Sequence, residues 1–384
     1  MHKKIKKLIN IDKTHLSIIL TFILFLVATL FLYKAFINAT SPIIGSVDFP
    51  QFYDMSKDFW NKKDIFKIFR EDDSYWFPMW NHLIYIIFYP YTLFELEVSK
   101  ILWFCSNIIF TYLIIIMLKK IHALSLNKSL FLGILTVSST PFTNTLGNGQ
   151  LGLFLLLSLI FYWYSKSRIK NIFLSVAYIK FSFAPFFLLN SLFKKEVDLI
   201  YAMIISALAV IFYSFYVNEI SLTQFINPLL VIYEVNKESV TNFVGVGYTF
   251  HIKTLLVALG LNKYYLISLI ILTFLNLINI FFIKKSNNLL FIIIIISSLF
   301  IFYHNYYDFV FLIPLAAYLL KSKISKIIFI INFPIILWFF YFVRFNQLVM
   351  KNYFSSDLIN FIGSILLVIS YLSFTYNYFS NKRS

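Results

Sequence analysis

What this sequence lacks constrains it first. Only 13% of its 384 residues are charged, too few to clothe a soluble domain in water. The single cysteine, Cys105, stands inside an apolar run, which excludes an internal disulfide and a cysteine-held metal centre. Acidic residues are scarce, 17 against 33 lysines and arginines. There is no glycine-rich phosphate loop or dinucleotide turn, no His-Glu-x-x-His and no serine-hydrolase elbow. No internal repeat points to a transporter of inverted halves. No alternating ten-residue pattern points to an outer-membrane barrel.

What is present is apolar. Hydrophobic residues make up 60% of the chain and aromatics 21%. Runs of about 20 such residues recur along the chain, each long enough to cross a bilayer. They predict an all-α polytopic membrane protein in which residues 1–384 form a single multi-spanning domain. The net charge of +16 does not signal nucleic acid, because the lysines sit in short groups between apolar runs, as cytoplasmic loops do.

Those lysines set the topology. The basic start, residues 1–7, followed by Leu16–Phe36 predicts an uncleaved first span, too long for the core of a signal peptide, with its N-terminus in the cytosol. Asn38–Phe77 then lies outside. Phe49, Phe52, Tyr53, Phe59 and Trp60 recur there at near-helical spacing and predict an amphipathic helix lying in the interface. Pro78–Phe94 reads as a half-helix at the outer face, and Asn171–Leu192 as a re-entrant hairpin with Lys180 and Pro185 near its tip. If either crossed, basic loops would face outward against the positive-inside rule. Gly147–Gln150 reads as a tight outer turn, and Asn218–Asn262, with Gly245 and Gly247, as a lid. This gives about ten crossings in the cell (inner) membrane, both termini cytosolic.

A few polar residues stand out from this background. Asp48 lies just past the first span, where a carboxylate can serve as a general base toward a hydroxyl; the plain alternative is an exposed loop residue or a helix cap, which suits Asp54 better. Lys180 is the lone cation between Lys170 and Lys194. A charge near the bilayer centre costs about 2.5–3.5 kcal/mol on insertion scales, so it needs a partner. A lipid phosphate, a distant acid or snorkelling would each serve. His304, Tyr307 and Asp308 form either a sugar- or phosphate-binding group or a polar turn, and Gln150 with Asn148 is a similar pair. Trp80 and His82 belong to the half-helix near the site. Glu71-Asp72-Asp73 is an oxygen-rich cation site or a solvated turn, and the latter is favoured. No metal and no cofactor are assigned.

The order of these motifs is what carries a resemblance. Asp48 follows span one; then come Tyr75-Trp-Phe-Pro78, Gly149-Gln150, Lys180 with Pro185, and His304-x-x-Tyr307-Asp308. From about Ser41 to Pro314 the chain resembles the polyprenyl-phosphate-mannose-dependent enzymes of glycosyltransferase family 87, in the GT-C superfamily. It departs in Leu151-Gly152, where the family usually carries a small apolar residue and asparagine, and in the wider spacing of Lys180 and Pro185. The resemblance implies a GT-C fold of about 10–12 membrane helices with an outer amphipathic helix. It implies that Asp48 is the base, that Gln150 and Lys180 line the cavity and that His304 is the late histidine. Tyr307, Asp54 and His82 are the further expected substrate contacts, from their own placement in the sequence. A hexose, mannose foremost, or a pentose would pass from a polyprenyl-phosphate-linked sugar donor to a lipid-linked or glycan acceptor at the outer face, by inverting single displacement. Lys180, with His304, would stabilise the leaving phosphate. The competing readings are an O-antigen polymerase or ligase, for which the external arginines Arg70 and Arg344 are few, and a lipid or solute transporter, for which most spans are too clean of charge.

Overall fold

Inside a bilayer the backbone has no water to bond, so each spanning segment must satisfy its own N–H and C=O groups. The computed structural model obeys this: 81% of it is helix and no strand forms among the described residues. Those residues are 13–41, 48–72, 75–167, 169–194, 197–232, 250–283, 288–302, 304–321, 324–348, 350 and 354–381. The expected lid glycines Gly245 and Gly247, Asp73, the basic residues 1–7, Lys284-Lys285 and Lys382-Arg383 lie outside them.

The chain opens with α1 (Lys13–Thr40), followed by α2 (Phe49–Trp60), α3 (Ile65–Glu71), α4 (Leu83–Ile87) and α5 (Tyr89–Thr92). Next come α6 (Leu96–His122), α7 (Leu126–Val137), α8 (Thr140–Gly147) and α9 (Gly152–Tyr164), then α10 (Lys170–Ala177), α11 (Ala184–Phe193) and α12 (Asp198–Tyr216). After α13 (Ile252–Ala258), α14 (Tyr265–Phe282) and α15 (Asn288–Ile301), a 3-10 stretch, Tyr306–Leu312, leads into α16 (Ile313–Leu319). α17 (Lys326–Leu337), a π-helical turn, α18 (Val343–Leu348) and α19 (Ser356–Asn381) complete the fold.

α6, α12, α14 and α19 are each long and apolar enough to cross a membrane, and the bent pair α8–α9 is a fifth if taken as one span. The chain is a multi-pass membrane protein. Leu16–Phe36 lies within the 28-residue α1, and several other apolar runs form shorter helices. The expected crossing Ser129–Leu146, for example, breaks at Ser138-Ser139, where Ser139 caps α8 and Pro141 sits in its first turn. The chain bends by 111° between α8 and α9, with the predicted tight turn at their vertex.

Ion pairs and caps show how the segments run. Lys170 pairs with Asp198 at 2.7 Å, joining the start of α10 to the start of α12, so the chain between them goes in and comes back. Its arms of 8 and 10 residues reach only about 12 and 15 Å, against a hydrocarbon core of about 30 Å. This is the geometry expected of the hairpin, with Lys180 in the turn between the arms. Lys128 Nζ donates to the Leu320 carbonyl at 2.7 Å, and Lys194 Nζ to that of Phe281 at 3.4 Å. Lys166 and Lys170 follow the far end of α9, which at 13 residues spans about 20 Å from the α8–α9 vertex, and Lys194 follows the end of α11 away from the hairpin tip.

Two expectations about the first outer segment are refined. α2 is amphipathic, but its apolar face covers protein instead of lipid. Phe49, Phe52, Met55 and Phe59 are buried, with Phe52 against Phe88 at 5.3 Å and Phe59 stacked on Tyr213 at 5.0 Å. Pro78–Phe94 yields α4 and α5, of five and four residues, neither able to cross. Glu71 and Asp72 are exposed, and no metal-holding cluster occurs among the described residues.

α15 is the centre of the C-terminal half: every residue from Leu289 to Ile301 is buried. Around it, Ser297 donates to Asn276 Oδ1, Asn279 Nδ2 meets Tyr371 Oη at 2.5 Å, and Asn332 takes Ser370 Oγ at 2.6 Å and gives to Ser373 Oγ at 2.9 Å. Interhelical polar bonds of this kind hold membrane helices together where apolar burial gives no preference over lipid.

The hairpin has a direct check. In a Cys105→Ser background, Ser167→Cys and Val197→Cys, both exposed, are expected to react with a membrane-impermeant maleimide from the same side. Labelling from opposite sides would show that residues 170–197 cross.

Candidate functional site

Four breaks between helices converge on one polar group. Asp48 stands immediately before α2, with Pro50 in the first turn, which removes an N–H that would have no partner there. Although Asp48 occupies the N-cap position, its carboxylate makes no capping bond. It accepts a hydrogen bond from Gln150 Nε2 instead. The exposed-loop and cap readings of Asp48 therefore do not describe it: it is half-buried and bonded across the fold.

The α8–α9 turn presents Gln150. Gly149 has φ +69°, and a Cβ there would collide with Phe49. Only glycine combines that left-handed backbone with so close an approach. The turn is fixed further: the Asp48 N–H donates to the Asn148 carbonyl at 3.2 Å, Gln150 N to Thr145 at 2.9 Å, and Trp103 Nε1 to the Gly149 carbonyl at 3.0 Å.

The α10–α11 turn presents Lys180. Its partner is not in its own hairpin but 128 residues on: Nζ lies 2.6 and 2.7 Å from the two carboxylate oxygens of Asp308. Of the partners foreseen for Lys180, the distant acid is the one present. Asp308 is buried and also takes a bond from His304 Nδ1 at 3.0 Å. An ionised carboxylate only accepts, so Nδ1 carries the hydrogen. Burial pushes the fully enclosed His304 down, against the upward pull of Asp308. Phe183 stacks on Phe311 at 3.7 Å and lies 4.3 Å from the His304 ring, clasping the hairpin tip to the 3-10 stretch. Lys180 Nζ is 5.4 Å from the centre of the Tyr307 ring, within cation–π range.

Asp48, Gln150, Lys180, His304 and Tyr307 thus share one site, with Asp308 at its base. Lys180 and Asp308 both act electrostatically on Asp48. Its pKa is pushed up to about 6, first by burial and then by Asp308, against the Gln150 bond and the Lys180 charge. A carboxylate tuned this way is a stronger base than an ordinary one and is still mostly ionised at neutral pH.

Two expected contacts lie elsewhere. Asp54 is six residues along α2 and bonds Trp76 Nε1 at 3.1 Å; burial raises its pKa, and Asp48 is not among the groups acting on it. The His82 ring packs against Tyr213 at 4.6 Å and Phe66 at 5.1 Å, and burial pushes it down to about 3. Both residues brace the outer helices. Sequence reading also missed His251, before α13. It meets Thr254 Oγ1 at 2.5 Å and lies within electrostatic reach of His304, while the adjacent Phe250 packs on Phe309 at 5.0 Å. The scarcity of histidine, six in the chain, was the available signal.

The Lys180–Asp308 pair predicts its own variants. Asp308→Asn leaves a largely enclosed cation without a counter-charge and is expected to cost about 3 kcal/mol, read as a lower unfolding temperature in detergent. Lys180→Met with Asp308→Leu, which removes both charges, is expected to recover most of that loss. An Asp308→Asn protein as stable as the parent would contradict the role given to the pair.

Neither a curated protein nor a solved structure matches the chain. Residues 83–303, more than half of it, match the profile of Glycosyltransferase family 87. Gln150 and Lys180 fall inside the matched stretch, and Asp48, His82, His304 and Tyr307 outside it. With its helical, membrane-spanning architecture and this match, the chain belongs to glycosyltransferase family 87, a family of the GT-C class, and is a membrane glycosyltransferase.

Proposed function

We propose that the protein transfers a hexose, mannose foremost, or a pentose from a polyprenyl-phosphate-linked donor to a hydroxyl of a lipid-linked or glycan acceptor. Membership of a glycosyltransferase family favours this over an O-antigen polymerase or ligase and over a transporter. The observation that carries it is the pairing of opposite chemistries in one site: a half-buried carboxylate, Asp48, held off its own helix by Gln150, beside the lysine at the hairpin tip.

In the reaction the acceptor oxygen attacks the anomeric carbon as the bond from that carbon to the phosphate oxygen breaks. The acceptor proton goes to Asp48, and the bonding electron pair leaves with the phosphate. Lys180 has three N–H donors, so while Asp308 holds it in place it also presents positive charge to the phosphate as negative charge grows there. His304 fixes Asp308, and Gln150 fixes the direction of the Asp48 carboxylate. A single displacement inverts the anomeric centre. Lys166, Lys170 and Lys194 lie a helix length away from the site, which by the positive-inside rule supports an active site at the outer face of the cell (inner) membrane and termini in the cytosol.

The test is transfer by purified protein in nanodiscs, supplied with polyprenyl-phosphate-mannose and candidate acceptors. Asp48→Asn is expected to fold and to lose at least about a hundredfold in rate, the usual scale of general-base catalysis. In the parent, the base must be ionised, so kcat/KM should rise with pH through about 6 and level off above. Parent-like turnover by a folded Asp48→Asn protein would remove Asp48 as the base.

A further inference from the structure

A base and a phosphate-binding cation leave the sugar between them without a surface to lie on. Most aromatic rings near the site are already committed. Phe49 lies among Tyr53, Phe88, Tyr91 and Trp103. Phe183 is fully buried between His304 and Phe311. Trp80 differs. It is half-buried, the one ring it meets among the described residues is Phe52, at 4.7 Å and 70°, and its indole N–H has no acceptor among them.

Its position is set from two sides. Phe52 is four residues after Asp48, hence one turn along the same face of α2. On the other side, the N–H of the adjacent Asn81 meets the carbonyl of Ile179 at 3.4 Å, immediately before Lys180. Trp80 is therefore held by the helix that begins at the carboxylate and by the turn that carries the lysine.

We propose that Trp80 is the platform for the donor sugar ring. A pyranose has a C–H-rich face that packs on an aromatic plane and a rim of hydroxyls that takes hydrogen bonds. Indole offers a wide, rigid apolar surface and one donor at its edge. The donor phosphate at Lys180 and the attacking hydroxyl at Asp48 fix the anomeric carbon between them, so the ring attached to that carbon is the one the indole supports. This rests on the glycosyl-transfer reading and extends it to a residue that holds the sugar.

The experiment compares two lipids on the parent, Trp80→Ala and Trp80→Phe, all in nanodiscs: polyprenyl-phosphate-mannose and polyprenyl phosphate without a sugar. Binding is measured directly by thermophoresis, and KM is measured alongside. Trp80→Ala is expected to weaken binding of the sugar-bearing lipid about three- to tenfold, the scale of one aromatic contact, with Trp80→Phe in between. Binding of the bare phosphate lipid should not change. If both lipids weaken together, or neither does, Trp80 is not a sugar platform. Direct binding needs no turnover, so a parent that binds both lipids but transfers nothing would overturn the transfer reading separately.

Discussion

A cation in an oily hairpin needs an opposite charge, and the site is arranged around the way Lys180 meets that need. Desolvating an isolated ammonium is prohibitive unless it is paired and hydrogen-bonded. Asp308 supplies the pair at 2.6 Å, and His304 occupies another position on the same carboxylate. The bond also ties the hairpin tip to the 3-10 stretch before α16, and the stacked rings of Phe183 and Phe311 lock it. Asp48 then sits in a field of mixed sign, with Lys180 drawing its pKa down and Asp308 pushing it up. Since those two largely oppose each other, burial and the Gln150 bond are left to set how basic the carboxylate is.

Asp48, Gln150, Lys180 and His304 come from places where a helix stops, and Tyr307 and Asp308 from the first turn of the 3-10 stretch. This follows from the solvent. Within a helix the backbone is satisfied and side chains point sideways into neighbours or lipid; polar side chains gather where helix ends meet and line a cavity. The α8–α9 vertex, the hairpin tip and the turn before the 3-10 stretch are such ends. Close packing of backbone brings them together: besides the fit of Gly149 against Phe49, a Cβ on Gly152 would lie 3.0 Å from Val310, so α9 lies almost in contact with the stretch that carries Asp308.

Much of this was legible in the chain. Lys180 is conspicuous because nothing charged surrounds it, and the parity of the lysine loops was enough to fold Asn171–Leu192 back on itself. The glycines of Gly147–Gln150 announced a turn. Less legible was what lies far apart in sequence: that Lys180 answers to an acid 128 residues away is a tertiary fact. Where the side chains of Asp54 and His82 go is likewise a matter of tertiary packing. Proximity along the chain puts them near Asp48 and Trp80, but their side chains leave in other directions, toward Trp76 and Tyr213. The apolar face of α2, expected to lie in the membrane interface, covers protein instead; lipid and protein accept the same residues. Nor did the apolar runs reveal that one of them breaks at Ser138-Ser139, since hydropathy is blind to a local cap.

The enclosure of α15 bears on how the molecule is made. Chain growth brings this segment to the bilayer before α17 and α19 have been synthesised. Its leucines and isoleucines must first be content against acyl chains and only later against protein. A helix asked to be stable in both settings has little room for groups that need a specific neighbour. Polar side chains on α15 are accordingly few: Asn288 at its start, Ser298, which bonds back to the Ile294 carbonyl of its own helix, and Ser297, which meets the Ile293 carbonyl and Asn276 of α14, a helix made before it. The middle of the bundle is thus a segment that can wait, correctly inserted, for its surroundings to arrive.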